Sequence, residues 1–518
     1  MLTEDTERDM AMAGYKIVLT RVNFFEYSFA GCDAVGKRIV AKALTYANPS
    51  PFAYSDQIQM FDRRDMTFKV GMLPTLIKKL SSAGREYRLV DYDFKLPRSV
   101  KIDERLGGKY IHQRRAVEAF FRRRIGIIVV PTRGGKTFIA GECIRIFLQT
   151  EAVSYKVMFV VDSKTLFQQA IDDFKRYFEP YGGIEIGEIR AGRIDTEKRV
   201  TVAMIQTIQA TLSKRCTETG KKNKLKTFLR GLRFLIVDEV HDNASSPKLK
   251  IYKSCKSLTH QLSLSATPYR AEAFVENLRL KAWSGDVVYR IKEETLRERG
   301  VLTEYKVFLL ALEQDSRALR ACTYAAYQKA IIFNSQIRDA VVVKVIETCR
   351  ANGFKTLVMF QSIDHGRHIA ELTGCTFIHG NTDNETRDRV KEEFLARPDG
   401  GVLMASNIFK KGVTLPEVEV LFNVDGGLEN ANTIQRKGRV LGATEAKSRS
   451  AIIDFIDIDD AYFSEHSSTR LNTYVKAVGE AGIGILDTAV ENWLTTLERW
   501  LKIWLSVNRH STDTPSDF

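Results

Sequence analysis

The strongest chemical signal is the stretch Val129-Val130-Pro131-Thr132-Arg133-Gly134-Gly135-Lys136-Thr137. It follows an apolar run, Ile127 to Val130, and precedes a helix-spaced pattern, Phe138 to Ile144. Glycines in such a loop let backbone N–H groups approach phosphate oxygens, and the N-terminus of the following helix adds a favourable dipole. Lys136 is placed to reach β and γ phosphates, and Thr137 to hold Mg²⁺. Val130 stands where the loose pattern expects its first glycine. Further on, Phe234-Leu235-Ile236-Val237 runs into Asp238-Glu239-Val240-His241. A carboxylate at the end of a strand neighbouring a phosphate loop can hold Mg²⁺, the role expected of Asp238. Glu239 is expected to orient and deprotonate an attacking water.

With Ser265-Ala266-Thr267 and Gln435-Arg436-Lys437-Gly438-Arg439, these segments resemble, in order and spacing, motifs I, II, III and VI of the superfamily 2 helicases. Other matches fill the gaps, and the likeness runs from about residue 105 to 460. Gln113 sits where that family has an adenine-contacting glutamine. Ser163 and Lys164 lie in a motif Ia-like stretch, Gln206 and Thr207 in one like motif Ib. Ser362 falls in a motif IV match, Gly412 and Thr414 in a motif V match. Within the superfamily the sequence is most similar to the UvsW-type helicases of T4-like bacteriophages, with the XPB and RecG groups further off. The stretches Met359 to Gly366, Gly380 to Arg387 and Gly438 to Leu441 carry that likeness.

The resemblance implies an ATP- and Mg²⁺-dependent motor of two tandem RecA-like parallel-sheet domains in an α/β fold. A small α+β domain precedes them and a helical C-terminal tail follows. Gln113 and Pro131 to Thr137 (Pro131, Thr132, Arg133, Gly134, Gly135, Lys136, Thr137) would bind the nucleotide. Arg439, aided by Arg436 and Gln435, would stabilise charge on the transferring phosphoryl group. His241, Ser265, Thr267 and Gly412 would couple hydrolysis to motion. The partner implied is DNA, branched or double-stranded, gripped through phosphates because a translocase tolerates any sequence. Branch migration and the remodelling of recombination, repair or replication intermediates are the activities implied. Two alternatives remain open: the motor subunit of a restriction system, and a weakly hydrolysing DNA-binding and annealing protein. The family's motif VI usually carries a second arginine three residues after Gly-Arg, and Gly442 stands there. Either Arg439 acts alone or Arg436 shares its role; if neither suffices, slow hydrolysis follows. Arg133 replaces a residue that is usually small; it either contacts phosphate or points to solvent.

Elements must position these residues. Strand signals are Val157 to Val161, Phe234 to Val237, Gln261 to Leu264, Lys355 to Phe360, Thr376 to Ile378, Val402 to Ala405 and Ala451 to Asp454. Runs apolar on both faces that alternate with helical patterns indicate parallel sheets covered on both sides. Before them, Tyr15 to Leu19, Arg38 to Ala41 and Tyr87 to Val90 read as strands, and Thr75 to Leu80 as a helix stopped by Gly84. Met60 to Val70 reads as two short strands around a charged turn whose Arg63 and Arg64 suit duplex DNA. The expected domains are 1–100, 101–295, 296–465 and 466–518. The run Lys221 to Lys226 reads as a loop that either touches DNA or is merely solvated. Trp493, Trp500 and Trp504 form a stripe expected to pack against the body.

Composition sets outer limits. The 518 residues carry a net charge of +14, which favours a polyanionic partner, nucleic acid before membrane. With hydrophobic residues at 44% and charged residues at 27%, wholesale disorder is excluded. The seven cysteines are scattered with no CxxC pair, so neither a disulfide framework nor a Cys-rich zinc site is expected. The start is acidic and lacks a signal-type apolar stretch, which points to the cytoplasm, that of the host if the chain is phage-encoded.

Overall fold

The computed structural model describes residues 17–31, 33–49, 55–91, 101–213, 216–240, 246–269, 273–313, 323–397, 400–406, 415, 417–425, 442, 447–458 and 463–510. They form two compact units, one ending at Ile291 and one beginning at Lys292, with Thr132–Gly134 grouped with the second. No helix among the described residues is long and apolar enough to cross a membrane.

The first unit opens with a small α+β region. Its elements are β1 (Val18–Asn23), β2 (Glu26–Ala30), α1 (Ala34–Ala43), β3 (Thr45–Ala47), β4 (Gln57–Gln59), β5 (Phe61–Asp62), β6 (Thr67–Lys69), α2 (Leu73–Ser82) and β7 (Arg88–Val90). Five of the strands form a sheet in the order β5-β6-β2-β1-β7. The expected strand over Arg38 to Ala41 is instead part of α1. Asp33 caps that helix by accepting from Gly36 N, and Gly36, Val40 and Ala43 recur on its buried side. The charged turn is confirmed: Asp62 accepts from Arg64 N at 2.8 Å and Asp65 N at 3.2 Å, leaving Arg63 and Arg64 exposed.

This region is seated on the parallel lobe that follows. Phe25 packs against Trp283 and Tyr252, at 5.3 and 6.2 Å between ring centroids. Lys69 Nζ lies 4.3 Å from the Trp283 ring, and Lys281 Nζ donates to Thr75 Oγ1 at 3.2 Å. Backbones meet at Gly71, where a Cβ would fall 1.7 Å from the Lys281 carbonyl oxygen, so only glycine fits.

The lobe runs α3 (Ile111–Arg123), β8 (Ile125–Val129), α4 (Lys136–Thr150), β9 (Val157–Val161), α5 (Lys164–Phe178), β10 (Ile186–Arg190), β11 (Arg193–Ile194), β12 (Val200–Met204), α6 (Ile205–Leu212), α7 (Thr219–Gly231), β13 (Phe234–Val237), α8 (Ser246–Ser254), β14 (His260–Ser265), α9 (Phe274–Ser284) and β15 (Val287–Arg290). Its sheet order is β11-β10-β12-β9-β13-β14-β8-β15, parallel except at β11. Strands β8, β9 and β13 are buried along their whole length, as their unbroken apolar runs require. The Lys221 to Lys226 run is helical, within α7, because Leu225, Phe228 and Leu229 give that segment a buried face.

The second unit begins with α10 (Glu293–Glu298) and continues as β16 (Glu304–Glu313), α11 (Tyr324–Gln328), α12 (Gln336–Ala351), β17 (Lys355–Met359), α13 (Ile363–Thr373), β18 (Thr376–Ile378), α14 (Asn384–Ala396), β19 (Gly401–Ala405), β20 (Val420–Asn423), β21 (Arg449–Ile458), α15 (Phe463–Val478), β22 (Ile483–Asp487) and α16 (Trp493–His510). Seven parallel strands pair in the order β18-β19-β17-β20-β21-β16-β22. The tail is mostly helical, yet it also supplies β22, an edge strand that the sequence reading did not anticipate. Trp493 is buried, and Trp500 and Trp504 are half-buried against the same core, as the stripe suggested.

Candidate nucleotide and nucleic-acid site

Parallel pairing decides where chemistry gathers. Val129 pairs with Ser265, Met204 with Val161, and Val237 with Val160 and Ser263. The carboxyl ends of β8, β9, β12, β13 and β14 therefore lie along one edge of the sheet, the edge at which open α/β sheets bind ligands. Every first-unit motif residue that is described, except Gln113 and the Arg63–Arg64 turn, follows one of those ends.

The loop after β8 is built around Gly135. Its φ of +88° lies in the left-handed region, and a Cβ there would fall 2.1 Å from Gln113 Nε2. Glycine is thus required twice, once for the backbone and once for the side chain beside it. Gln113, on α3, is only 5% exposed, so the structure does bring it to the loop. Helix α4 starts at Lys136, directly after Gly135, with Thr137 in its first turn. Pro131 and Thr132 are half-buried and Gly134 is buried. Arg133 also has a left-handed backbone, φ +67°. It does not simply point to solvent: it is half-buried, and burial pushes its guanidinium down to about 10.

Lys136 Nζ donates to Glu239 Oε1 at 2.7 Å. Burial works against that ammonium, but the Glu239 and Asp238 carboxylates outweigh it and raise the lysine above its ordinary value. Asp238 is pushed up to about 7, first by burial and then by the adjacent Glu239 charge, with Lys136 opposing. Glu239 turns sharply at the strand end, with φ +46°, and its N–H donates to Asp238 Oδ1 at 3.0 Å. Like-charged carboxylates, a buried ammonium and a helix N-terminus form a site complementary to a triphosphate carrying a divalent cation. Among the described residues no group of three or more His, Cys, Asp or Glu could hold a metal on its own.

The remaining candidates divide. Ser163 caps α5 by accepting from Leu166 N at 3.2 Å, and Lys164 is exposed. Gln206 reaches back to the Asp162 carbonyl at 2.6 Å, with Thr207 half-buried beside it. That bond ties the ends of β9 and β12 together. Asp162 had no role in the sequence reading, yet its charge contributes to raising Asp238. Ser265 is buried, and its Oγ accepts from Thr267 N at 3.1 Å, closing a turn after β14. Ser362 caps α13 in the second unit, accepting from His365 N at 3.3 Å. Gly442 forms an antiparallel bridge with Leu302. His241, Gly412, Thr414, Gln435, Arg436 and Arg439 lie outside the described residues.

Two family models match these segments: "Type III restriction enzyme, res subunit" over residues 109–270, and "Helicase conserved C-terminal domain" over residues 337–443. The chain belongs to the superfamily 2 helicases. The DNA 3'-5' translocase XPB2 of Sulfurisphaera tokodaii is 25% identical over 370 residues, covering 64% of this chain and 77% of that one. A protein of Sulfolobus islandicus filamentous virus is 24% identical over 359 residues, 66% of this chain and 62% of that protein. This match spans less than two thirds of the viral relative. Among solved structures, S. cerevisiae Dbp5 bound to RNA and ADP BeF3 has a TM-score of 0.52 at 15% identity, covering 76% of this chain and 93% of that one. This likeness shows the fold, two tandem RecA-like domains. The crystal structure of T4 UvsW is 18% identical with a TM-score of 0.42, covering 91% of this chain and 99% of that one.

Proposed function

We propose that this helicase is a DNA-stimulated ATPase that moves along DNA and remodels branched or duplex substrates, as in fork or junction branch migration, unwinding or annealing. The observation that carries the reading is the Lys136–Glu239 pair beside Asp238 at the exit of β13. A triphosphate competes with Glu239 for the Lys136 ammonium. Once Lys136 turns to phosphate, the Glu239 carboxylate is released to orient and deprotonate water. Bound ATP supplies the transferable phosphoryl group, and Thr137 and Asp238 would hold its Mg²⁺. Gln113 selects the base. Arg439, with Gln435 and Arg436, stabilises charge on the phosphoryl group, an effect worth roughly 10³ to 10⁵ in rate in other nucleoside triphosphatases. Ser265 and Thr267, whose turn adjoins the loop through the Val130 N–H to Ser265 carbonyl bond at 3.1 Å, pass the nucleotide state onward, as do His241 and Gly412.

The net charge of +14 and the exposed Arg63–Arg64 turn favour a nucleic-acid backbone, and the DNA translocase relative favours DNA over RNA. Ser163, Lys164, Gln206, Thr207, Ser362 and Thr414 contact its backbone. The deciding experiment compares ATP hydrolysis on single-stranded, duplex, forked and four-way DNA, with Lys136→Ala as control. Stimulation by branched DNA that disappears in the control is expected. No stimulation by any DNA sinks the reading. A second reading, the motor of a restriction system, is favoured by the restriction-subunit match over residues 109–270. Cleavage of a supercoiled plasmid in the presence of ATP tests it.

A further inference from the structure

A buried cluster of charges in the second unit lies outside the chemistry proposed above. Asp339 stands in the first turn of α12, His365 in the first turn of α13, and Asp425 two residues beyond β20. His365 Nδ1 bonds Asp425 Oδ1 at 2.9 Å, and its Nε2 bonds Asp339 Oδ1 at 2.8 Å. The His365 and Asp425 side chains are wholly buried. Burial opposes a charged imidazole here, but the two carboxylates overcome it and raise His365 to about 9. The ring is therefore an imidazolium clamped between two anions at neutral pH.

The second oxygen of Asp425 faces elsewhere. It accepts from the backbone N–H groups of Gln361 and of Ser362, the latter at 3.3 Å. One carboxylate thus ties the exit of β20 to the loop after β17. Arg338, fully buried, fixes the same strand exit from the other side by donating to the Val424 carbonyl at 3.0 Å and pairing with Asp457. A cluster of this kind contributes little net stability, because desolvation offsets most of the Coulomb attraction. Its placement explains more than its energy does. Gln361 and Ser362 give both amides to Asp425, and Ser362 Oγ accepts from His365 N. A hydroxyl that accepts one bond still has its own proton to donate.

We propose that Asp425, held in place by His365 and Asp339, is a positioning residue that sets the Gln361–Ser362 loop so that the Ser362 hydroxyl meets a nucleic-acid phosphate. The inference rests on the reading that Ser362 contacts the DNA backbone. Asp425 touches neither nucleic acid nor nucleotide; it acts through the loop.

The test titrates DNA-stimulated ATPase with forked DNA for wild type, Asp425→Asn, Ser362→Ala, the double variant and Asp339→Asn, each checked for folding by circular dichroism. Asp425→Asn keeps the shape and removes the charge. It is expected to raise the DNA concentration for half-maximal stimulation ~10-fold, the loss expected when a bond to a charged group is weakened. The KM for ATP and the turnover at saturating DNA are expected to stay within about twofold, since Lys136, Thr137, Asp238 and Glu239 all belong to the other unit. The double variant is expected to bind DNA no more weakly than the weaker single variant, because both changes act on one contact. Asp339→Asn, which loosens His365 without touching the loop, is expected to shift DNA half-saturation in the same direction by less, and it carries the test if Asp425→Asn does not fold. Unchanged half-saturation in both Asp variants overturns the proposal. So does a strictly additive double variant, or a fall in turnover with half-saturation unmoved. A wild type that no DNA stimulates removes the parent reading and this inference with it, whereas a stimulated wild type with an unaffected Asp425→Asn removes this inference alone.

Discussion

Removing the Lys136 ammonium should do more than stop hydrolysis; it should destabilise the first unit. Lys136 and Glu239 are 12% and 22% exposed and 2.7 Å apart, with the half-buried Asp238 adjacent. In Lys136→Ala two neighbouring carboxylates lose their cation. Stripping one partner from a fully buried pair costs ~3–5 kcal/mol. The residual exposure of Glu239 lets water compensate in part, so roughly 1–3 kcal/mol is expected here. For a unit of this size each kcal/mol moves the melting temperature by about 2–4 °C, which predicts a fall of roughly 3–10 °C. Glu239→Gln in the same chain removes the repulsion, so the double variant should melt close to wild type while remaining inactive. Differential scanning fluorimetry at pH 7 without nucleotide, with ATP turnover measured alongside, reads both effects. A Lys136→Ala protein that melts with wild type, or one that Glu239→Gln makes still less stable, refutes the electrostatic account. Retained DNA-stimulated turnover in Lys136→Ala refutes the assignment of the loop itself.

Gly135→Ala meets both a left-handed backbone, φ +88°, and the Gln113 amide 2.1 Å from the new Cβ, so binding of a fluorescent ATP analogue should weaken at least ~10-fold; an unchanged titration contradicts the loop geometry. Gly71→Val puts a side chain into the Lys281 carbonyl, 1.7 Å from the Cβ position, and should lift the N-terminal region off α9. Exposure of Trp283 should then red-shift the tryptophan emission, and an unshifted spectrum denies the contact. His365 has a folded pKa near 9, above its ordinary value of 6.5, so its contribution to stability is complete below pH 6.5 and disappears as pH rises through 9. Urea midpoints should fall between pH 7 and 10 in wild type and stay flatter in His365→Gln; parallel curves speak against a buried imidazolium. Arg439→Ala should bind nucleotide normally but hydrolyse slowly, and equal turnover would show the arginine misassigned.

Legibility in the sequence followed the range of the forces involved. Strands β9 and β13 lie where their apolar runs were marked, because a strand buried on both faces needs apolar residues throughout. The turn after β8 was legible for a local reason: Gly135 announces the left-handed backbone it adopts, whereas the partners of that turn, Gln113, Glu239 and Ser265, come from distant segments. Short mixed segments failed. Ile39-Val40 suggested a strand, but the Asp33 cap and the spacing of Gly36, Val40 and Ala43 made a helix. The lysine run of α7 disguised Leu225, Phe228 and Leu229 on the opposite face. Strand β22 was missed inside a helical tail, where only five residues pair with β16. The Asp339–His365–Asp425 cluster left no local signal at all. His365 and Asp425 are 60 positions apart, and only the pairing of β17 with β20 brings them together.

The two halves of the chain use the ends of parallel strands differently. In the first, charges at the strand ends remain poised against one another: Lys136 holds Glu239, and Asp238 sits near 7, between its charged and neutral forms. Such a site has interactions to exchange with an incoming anion, as the proposed hydrolysis requires. In the second, the charges at the strand ends are paired and buried, with His365 between two carboxylates and Arg338 against Asp457. Asp425, clamped by His365, holds both amides of the loop that presents Ser362. Under the proposed function, geometry to be exchanged is thus placed at the loop after β8, and geometry to be kept is placed beside the Gln361–Ser362 loop. The N-terminal region follows the second pattern, since glycine-to-carbonyl contact at Gly71 and the Phe25–Trp283–Tyr252 cluster fix it to α9, the helix that comes directly after the Ser265–Thr267 turn. The exposed Arg63–Arg64 turn is carried by the sheet mounted in this way, so if it meets DNA as proposed, it does so as a fixed part of the first unit.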